Sequence, residues 1–346
     1  MSFDRLQEKI DKLQNPTVVG LDPALESIPP ELLKKHIDEK GETLEVAAAA
    51  VLEFNIGLIN ALCDIVPAVK PQSAFYEALG PMGVGALKVT IDYAKEKGMY
   101  VIMDGKRNDI GSTAEAYSTA YLGEVKIGKT KIFPFDADAL TINAYLGSDG
   151  IKPFLKTAKK YDKAMFALVK TSNPSAGEFQ DKYFMIDDRR VSKGDRRQTS
   201  KDREGGEKNR RNPGPDRRKN PYGDGTTTIV TKQLYTLVGE LLEEISYDTR
   251  GTYGFTRVGA VIGATYPEEL QFLRSHLKDT FFLVPGYGAQ GGSAESVAAA
   301  FDKNGRGAII NSSRAIISAW KESGDDYMVA ARSQAIKMRD ELRKVM

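Results

Sequence analysis

The chain has little sulfur or imidazole to work with: its 346 residues include one cysteine, Cys63, and two histidines, His36 and His276. A single cysteine excludes an internal disulfide and suits a reducing compartment. Cys63 lies in an apolar helical run and reads as an inert core thiol. Both histidines sit in polar helical stretches and read as surface residues, so an imidazole-rich metal site and a Ser-His-Asp triad lack support. Long apolar runs are scarce too. Glu53, Asn55 and Asn60 break the best candidate before it reaches the roughly 18 residues of a membrane span. The opening residues Met1 to Leu6 are charged and lack a signal-type apolar core. A formal net charge of +2 does not advertise nucleic acid or an anionic membrane as partner. These absences lead to the expectation of a soluble cytoplasmic protein.

What the chain does have is alternation. Short β-branched runs alternate with longer helical patterns. Strands are expected at Thr17–Asp22, Ala68–Gln72, Met99–Lys106, Ala139–Asn143, Ala164–Lys170, Val258–Gly263, Phe281–Val284 and Gly307–Ile310. Helices are expected over 42–65, 83–97 and 112–122. Eight β/α units in succession predict a single α/β domain over 1–346, a TIM (β/α)8 barrel with a polar insertion after strand five. A doubly wound open sheet is the rival arrangement.

The densest chemistry lies at the end of the third strand, in Asp104-Gly105-Lys106-Arg107-Asn108-Asp109-Ile110-Gly111-Ser112-Thr113. Asp104 and Lys106, two apart, project to the same side of a strand. Barrel enzymes carry their chemistry at the C-terminal strand ends, and the other notable polar residues fall there as well. Asp22 ends strand one, Lys70 sits in strand two, and Ser172, Gln290 and Arg314 follow strands five, seven and eight. Two segments look like a phosphate grip. Pro285 to Gly292 is a Gly-rich loop entering a helix, with Gln290 as an amide donor. Asn311-Ser312-Ser313-Arg314 adds a guanidinium fork. Read singly, Asp22 is also a turn residue, Ser172 a helix cap and Thr113 a first-turn hydroxyl.

The spacing D-x-K-x-x-D followed by I-x-x-T resembles the active-site signature of the orotidine 5′-monophosphate decarboxylase family, in its bacterial form. Gly20-Leu21-Asp22-Pro23, Val69-Lys70-Pro71-Gln72, Thr171-Ser172-Asn173-Pro174, Val261 to Thr265 and the Gly286 to Gly292 loop resemble that family's other signatures, in the same order. The resemblance spans Gly20 to Arg314. It implies a homodimer that decarboxylates orotidine 5′-monophosphate to uridine 5′-monophosphate without metal or organic cofactor. Lys70, Asp104, Lys106 and Asp109 would form a charged tetrad, with Asp109 and Thr113 supplied by the neighbouring subunit. Asp22 and Lys70 would contact ribose, Ser172 the pyrimidine, and Gln290 and Arg314 the phosphate. Lys106 would stabilise the developing carbanion and then protonate it. A sugar-phosphate decarboxylase or aldolase of the same superfamily shares D-x-K-x-x-D and is the alternative enzyme. A barrel that binds RNA through its basic insertion is the alternative from another class.

The stretch 178–226 departs from the family's pattern. It is polar and basic, nearly free of aliphatic residues after Val191, and carries Asp-Arg-Arg at 188, 195 and 216. Such composition cannot bury a core, so a disordered or loosely draped insertion is expected. A solvated segment without catalytic role is preferred to a lid or a partner-binding segment. Tyr183, Phe184 and Met185 at its start are expected to dock on the barrel.

Overall fold

The computed structural model describes residues 1–187, 229–288 and 291–346. Eight parallel strands close into a barrel in sequence order: β1 Thr17–Leu21, β2 Ala68–Pro71, β3 Tyr100–Arg107, β4 Ala139–Ile142, β5 Ala164–Lys170, β6 Val258–Ile262, β7 Phe282–Val284 and β8 Ala308–Ser312. Closure is explicit, because β1 pairs with both β2 and β8. That excludes the open-sheet rival. Helices Leu44–Leu62, Gly80–Glu96 and Gly111–Leu122 lie where helical spacing placed them, with ends moved by a few residues.

Strands buried on both faces read as continuous apolar runs, and the buried side chains divide accordingly. Val18, Ala68, Ile102, Phe166, Leu283 and Ile309 belong to a cluster inside the barrel. Their chain neighbours Val19, Val69, Val101, Met165, Val284 and Ile310 pack with the helices. The period of two thus fixes which residues look inward.

An N-terminal helix that periodicity did not single out, Ser2–Leu13, contributes to the interior cluster. Phe3, Leu6 and Ile10 join it. The Phe3 ring lies 4.9 Å from Phe166 and 5.0 Å from Phe281. The Asp4 carboxylate fastens this helix to the loop before β6 by accepting the Thr252 and Tyr253 amides at 3.0 and 3.1 Å.

Four expectations need correction. Helix Leu44–Leu62 is long and apolar enough to cross a membrane despite Glu53, Asn55 and Asn60. Here it packs in the core, with Asn55 buried and donating to Tyr76 Oη at 2.9 Å. Cys63 is half-buried, because the helix ends there and the thiol sits at the rim of the core. His36 is half-buried against Glu53, 2.7 Å away, and only His276 is exposed. Tyr183, Phe184 and Met185 do not dock on the barrel. They are 70, 45 and 77 % exposed, because Tyr183–Asp187 pairs with Ile229–Gln233 in an antiparallel ribbon. The ribbon satisfies the backbone without the barrel. The Asp-Arg-Arg triplets lie outside the described residues.

Because Phe3 fills the interior beside Phe166 and Phe281, Phe3→Ala should destabilise the fold by about 3 kcal/mol. Urea denaturation is the measurement, and a loss below about 1 kcal/mol would show that the helix is only loosely seated.

Candidate active site

The inward column turns polar at the C-terminal rim. Two residues above Ala68, Ile102, Ala139 and Ile309 stand Lys70, Asp104, Thr141 and Asn311, so the alternation that builds the core also delivers these groups to one end. Asp104 lies at the centre. Its Oδ2 accepts from Lys70 Nζ at 2.6 Å, and its Oδ1 accepts from Lys106 Nζ at 2.7 Å and Thr141 Oγ1 at 2.8 Å. Thr141 was not singled out from sequence, although its place two beyond Ala139 carried the signal.

Lys106 reaches back because β3 is irregular there. Met103 pairs with Leu140 and Arg107 with Ile142, so β3 carries two residues more than β4 across that interval. Lys106 occupies the left-handed region at φ 45°, which costs a side-chain-bearing residue about 1 kcal/mol. Its amide, taken out of the ladder, donates to Thr141 Oγ1 at 3.0 Å. One hydroxyl therefore holds both the backbone of Lys106 and the carboxylate of Asp104.

Burial and charge oppose each other in this cluster. Burial alone would push the Lys70 ammonium down, but Asp104 and Asp22 outweigh it and hold the group above its ordinary value. Burial would raise Asp104, yet Lys70 and Lys106 hold its carboxyl well below the usual carboxylate range. The side chains of Lys70 and Asp104 are 5 and 8 % exposed, whereas that of Lys106 is 46 % exposed. The more accessible cation is thus Lys106.

Asp22 is the shared wall between this cluster and a cleft of about 1210 Å³, which is also lined by Phe75, Gly286, Asn311, Ser313 and Arg314. Asp22 Oδ1 and Asn311 Oδ1 are buried without a hydrogen-bond partner among the described residues. Gly286 and Gly288 have φ of 103° and 73°, which a side-chain-bearing residue would adopt only under strain. Tyr287 between them is anchored by its hydroxyl, which donates to Glu341 Oε2 at 2.6 Å. The helix beyond this loop, Ala294–Ala298, has five residues.

Of the other expected site residues, Arg314 is exposed at the cleft. Ser172 is half-buried beyond β5. Asp109 stays outside the cluster: its Oδ1 accepts the Ile110 amide at 2.8 Å, and among the described residues no ion pair joins it to Lys70 or Lys106. Thr113 is exposed in the first turn of helix Gly111–Leu122. Gln290 lies outside the described residues. Sequence reasoning also passed over Lys170, which is fully buried beside Asp181.

A model of the "Orotidine 5'-phosphate decarboxylase / HUMPS family" matches residues 18–203, which carry β1 to β5 and the whole Asp104 cluster. An orotidine 5′-phosphate decarboxylase of Rhodopirellula baltica is 38 % identical over 336 residues, covering 94 % of each chain. The chain belongs to this family. A second decarboxylase of the same name, from Clostridium perfringens strain SM101, is 35 % identical over 349 residues, covering 100 % of this chain and 99 % of its own. The solved structure of Leishmania donovani OMP decarboxylase superposes with a TM-score of 0.65 at 26 % identity, covering 99 % of this chain and 98 % of that one. Family membership thus extends over the entire barrel.

The linkage has a definite sign. Asp104 has a lowered pKa, so its stabilising effect is present above the unfolded carboxylate value of about 3.9 and fades as pH falls through the folded value. Asp104→Asn strands the buried Lys70 and should cost about 3 kcal/mol at pH 7. The gap between variant and wild type should narrow at strongly acidic pH, where the wild-type carboxylate is protonated as well. Denaturation curves at neutral and acidic pH check this, and a constant gap would separate the effect from ionisation.

Proposed function

We propose that this chain decarboxylates orotidine 5′-monophosphate to uridine 5′-monophosphate as a homodimer, without metal or organic cofactor. The observation that carries the reading is the Lys70–Asp104–Lys106 relay closed by Thr141, set beside an anion-suited cleft at the C-terminal rim. Family membership supplies the reaction class. The residue roles follow from position and chemistry.

Loss of carbon dioxide breaks the bond to a pyrimidine ring carbon and leaves its electron pair on that carbon with little resonance relief. A cation already in place lowers the energy of the developing charge more than that of the ground state. Lys106 is the exposed ammonium of the cluster, and it passes a proton to that carbon, forming the C–H bond of the product. Lys70, more deeply buried, keeps Asp104 ionised and faces the ribose together with Asp22. Asp104 next to the departing carboxylate adds repulsion to the ground state. Ser172 meets the pyrimidine. Arg314 and the Gly286–Gly288 backbone hold the phosphate, with Gln290 joining them. Asp109 and Thr113 complete the site of the neighbouring subunit, in accord with the position of Asp109 outside its own chain's cluster.

Lys106→Ala should abolish turnover while leaving affinity for uridine 5′-monophosphate within about tenfold of wild type. Arg314→Ala should instead weaken nucleotide binding and leave binding of the phosphate-free nucleoside unchanged. Loss of orotidine monophosphate absorbance by metal-stripped protein is the assay. Substantial turnover by Lys106→Ala would remove that residue from proton delivery, and equal loss for both ligands would make Arg314 structural.

The shared site has its own test. Homodimers of Lys106→Ala and of Asp109→Ala should both be nearly inactive. Their heterodimer places both defects in one site and leaves the other intact, so subunit exchange should restore up to about half of wild-type activity per heterodimer. Verified heterodimers that stay inactive would contradict the shared site.

A further inference from the structure

Strand β5 ends on a bulge that sets up a second, separate piece of machinery. Val261 pairs with Leu168 but Ile262 pairs with Lys170, so Val169 is the extra residue. Lys170 is fully buried, with its ammonium 4.5 Å from the Tyr266 ring centre, 5.5 Å from that of Tyr235, and ion-paired with Asp181. The next residue is gripped as firmly. Gln180 Oε1 accepts the Thr171 amide at 2.8 Å, and Gln180 Nε2 donates to Thr171 Oγ1, also at 2.8 Å. Thr171 Oγ1 donates onward to Asn173 Oδ1 at 2.6 Å. Consecutive residues Gln180 and Asp181 therefore clasp consecutive residues Thr171 and Lys170.

The clasp bears directly on Ser172. On the opposite side the backbone of Ser172 presses on Gly263, where an added Cβ would come within 2.9 Å of its Cα and backbone nitrogen. Ser172 is thus located between a grip on Thr171 and Asn173 and a wall that only glycine leaves room for. The clasp is itself anchored through its backbone. The Gln180 carbonyl accepts from the Tyr235 amide at 3.2 Å and the Lys182 carbonyl from the Leu234 amide at 3.0 Å, at the start of helix Leu234–Ser246. Removing the Gln180 side chain therefore leaves the path of residues 180–182 supported.

We propose that Gln180, backed by the Lys170–Asp181 pair, is a positioning residue that holds Thr171-Ser172-Asn173 at the pyrimidine end of the site and so sets affinity for the base. The proposal rests on the reading of Ser172 as the pyrimidine contact. Gln180 acts only through Thr171, and its effect is confined to ligands that carry a base. The phosphate end is fixed independently, through Tyr287 and Glu341. Asp181 is the less informative residue to change, because losing it strands a fully buried ammonium and disturbs the fold.

The test compares wild type, Gln180→Ala and Gln180→Glu by calorimetry with uridine 5′-monophosphate and with ribose 5-phosphate, which lacks the base. Values of kcat and KM for orotidine 5′-monophosphate are taken on the same preparations. Gln180→Ala should bind uridine 5′-monophosphate about tenfold more weakly, the effect of one or two neutral hydrogen bonds. Its affinity for ribose 5-phosphate should be unchanged, and KM should rise more than kcat falls. Gln180→Glu keeps an acceptor for the Thr171 amide and should lose less, again for the base-bearing ligand alone; it decides the matter if Gln180→Ala does not fold. In a Ser172→Ala background the loss from Gln180→Ala should shrink. Unchanged nucleotide affinity, equal losses for both ligands, or full additivity with Ser172→Ala would overturn the proposal. A wild-type protein that neither binds nor turns over the nucleotides would instead overturn the functional reading.

Discussion

The buried pair of Lys70 and Asp104 is the constraint to which the rest of the site answers. Either charge alone at that depth would carry a desolvation cost of several kcal/mol, so neither residue is tolerable without the other. Two ammonium groups and one hydroxyl satisfy the carboxylate, and that hydroxyl comes from β4 at the level where its inward face ceases to be apolar. The irregular end of β3 follows from the same need. A regular strand would carry Lys106 onward with its amide in the ladder, whereas the left-handed turn folds it back and passes the amide to Thr141. Local strain at Lys106 is thereby offset within one hydrogen-bonded ring of residues.

The architecture and much of the chemistry were legible because both follow from short-range periodicity. Eight apolar runs separated by helical patterns give the barrel, and polar residues at the ends of several runs mark the rim. Lys70, Asp104 and Lys106 were found that way and do lie together. Thr141 obeys the same rule, two residues beyond the inward Ala139, and was passed over although its position carried the signal. Other features were beyond reach. Helix Ser2–Leu13 carries Phe3, Leu6 and Ile10 at helical spacing, but that this face enters the barrel is seen only from Phe3 against Phe166 and Phe281, which are distant in sequence. Tyr183, Phe184 and Met185 have the composition of a docking segment, but their backbone is satisfied by pairing with Ile229–Gln233, a partner strand more than 40 residues away. Lys170 departs from the alternation because of a bulge, and a bulge leaves no mark in the pattern of residue types.

That bulge divides the rim into parts held by different means. On β2 to β4 the functional groups are fixed by ionic contacts among themselves, inside the barrel. Beyond β5 the segment bearing Ser172 is held from outside, by Gln180 and Asp181 on the excursion that leads into the ribbon. The excursion returns through Gln233 into helix Leu234–Ser246, so its two limbs meet beside the clasp.

The glycine loop, proposed to hold the phosphate, is anchored in a third way, and this bears on how binding energy would reach the reacting carbon. Tyr287 ties the glycine loop to the C-terminal helix Tyr327–Leu342 through Glu341, and burial followed by the neighbouring carboxylate hold its phenol above the ordinary tyrosine value. On the roles proposed for the glycine loop and Ser172, a ligand held at its phosphate and at its base would span the mouth of the barrel, with Asp22 lining the cleft and acting on the Lys70 charge. In the proposed reaction, contacts at both ends would press the reacting carbon toward Lys106 without taking part in the chemistry, which is how remote binding energy lowers a barrier. On the same reading, the segments assigned to base and phosphate are held by hydrogen bonds separate from the Lys70–Asp104 pair, so changes there would leave the ionisation of that pair in place.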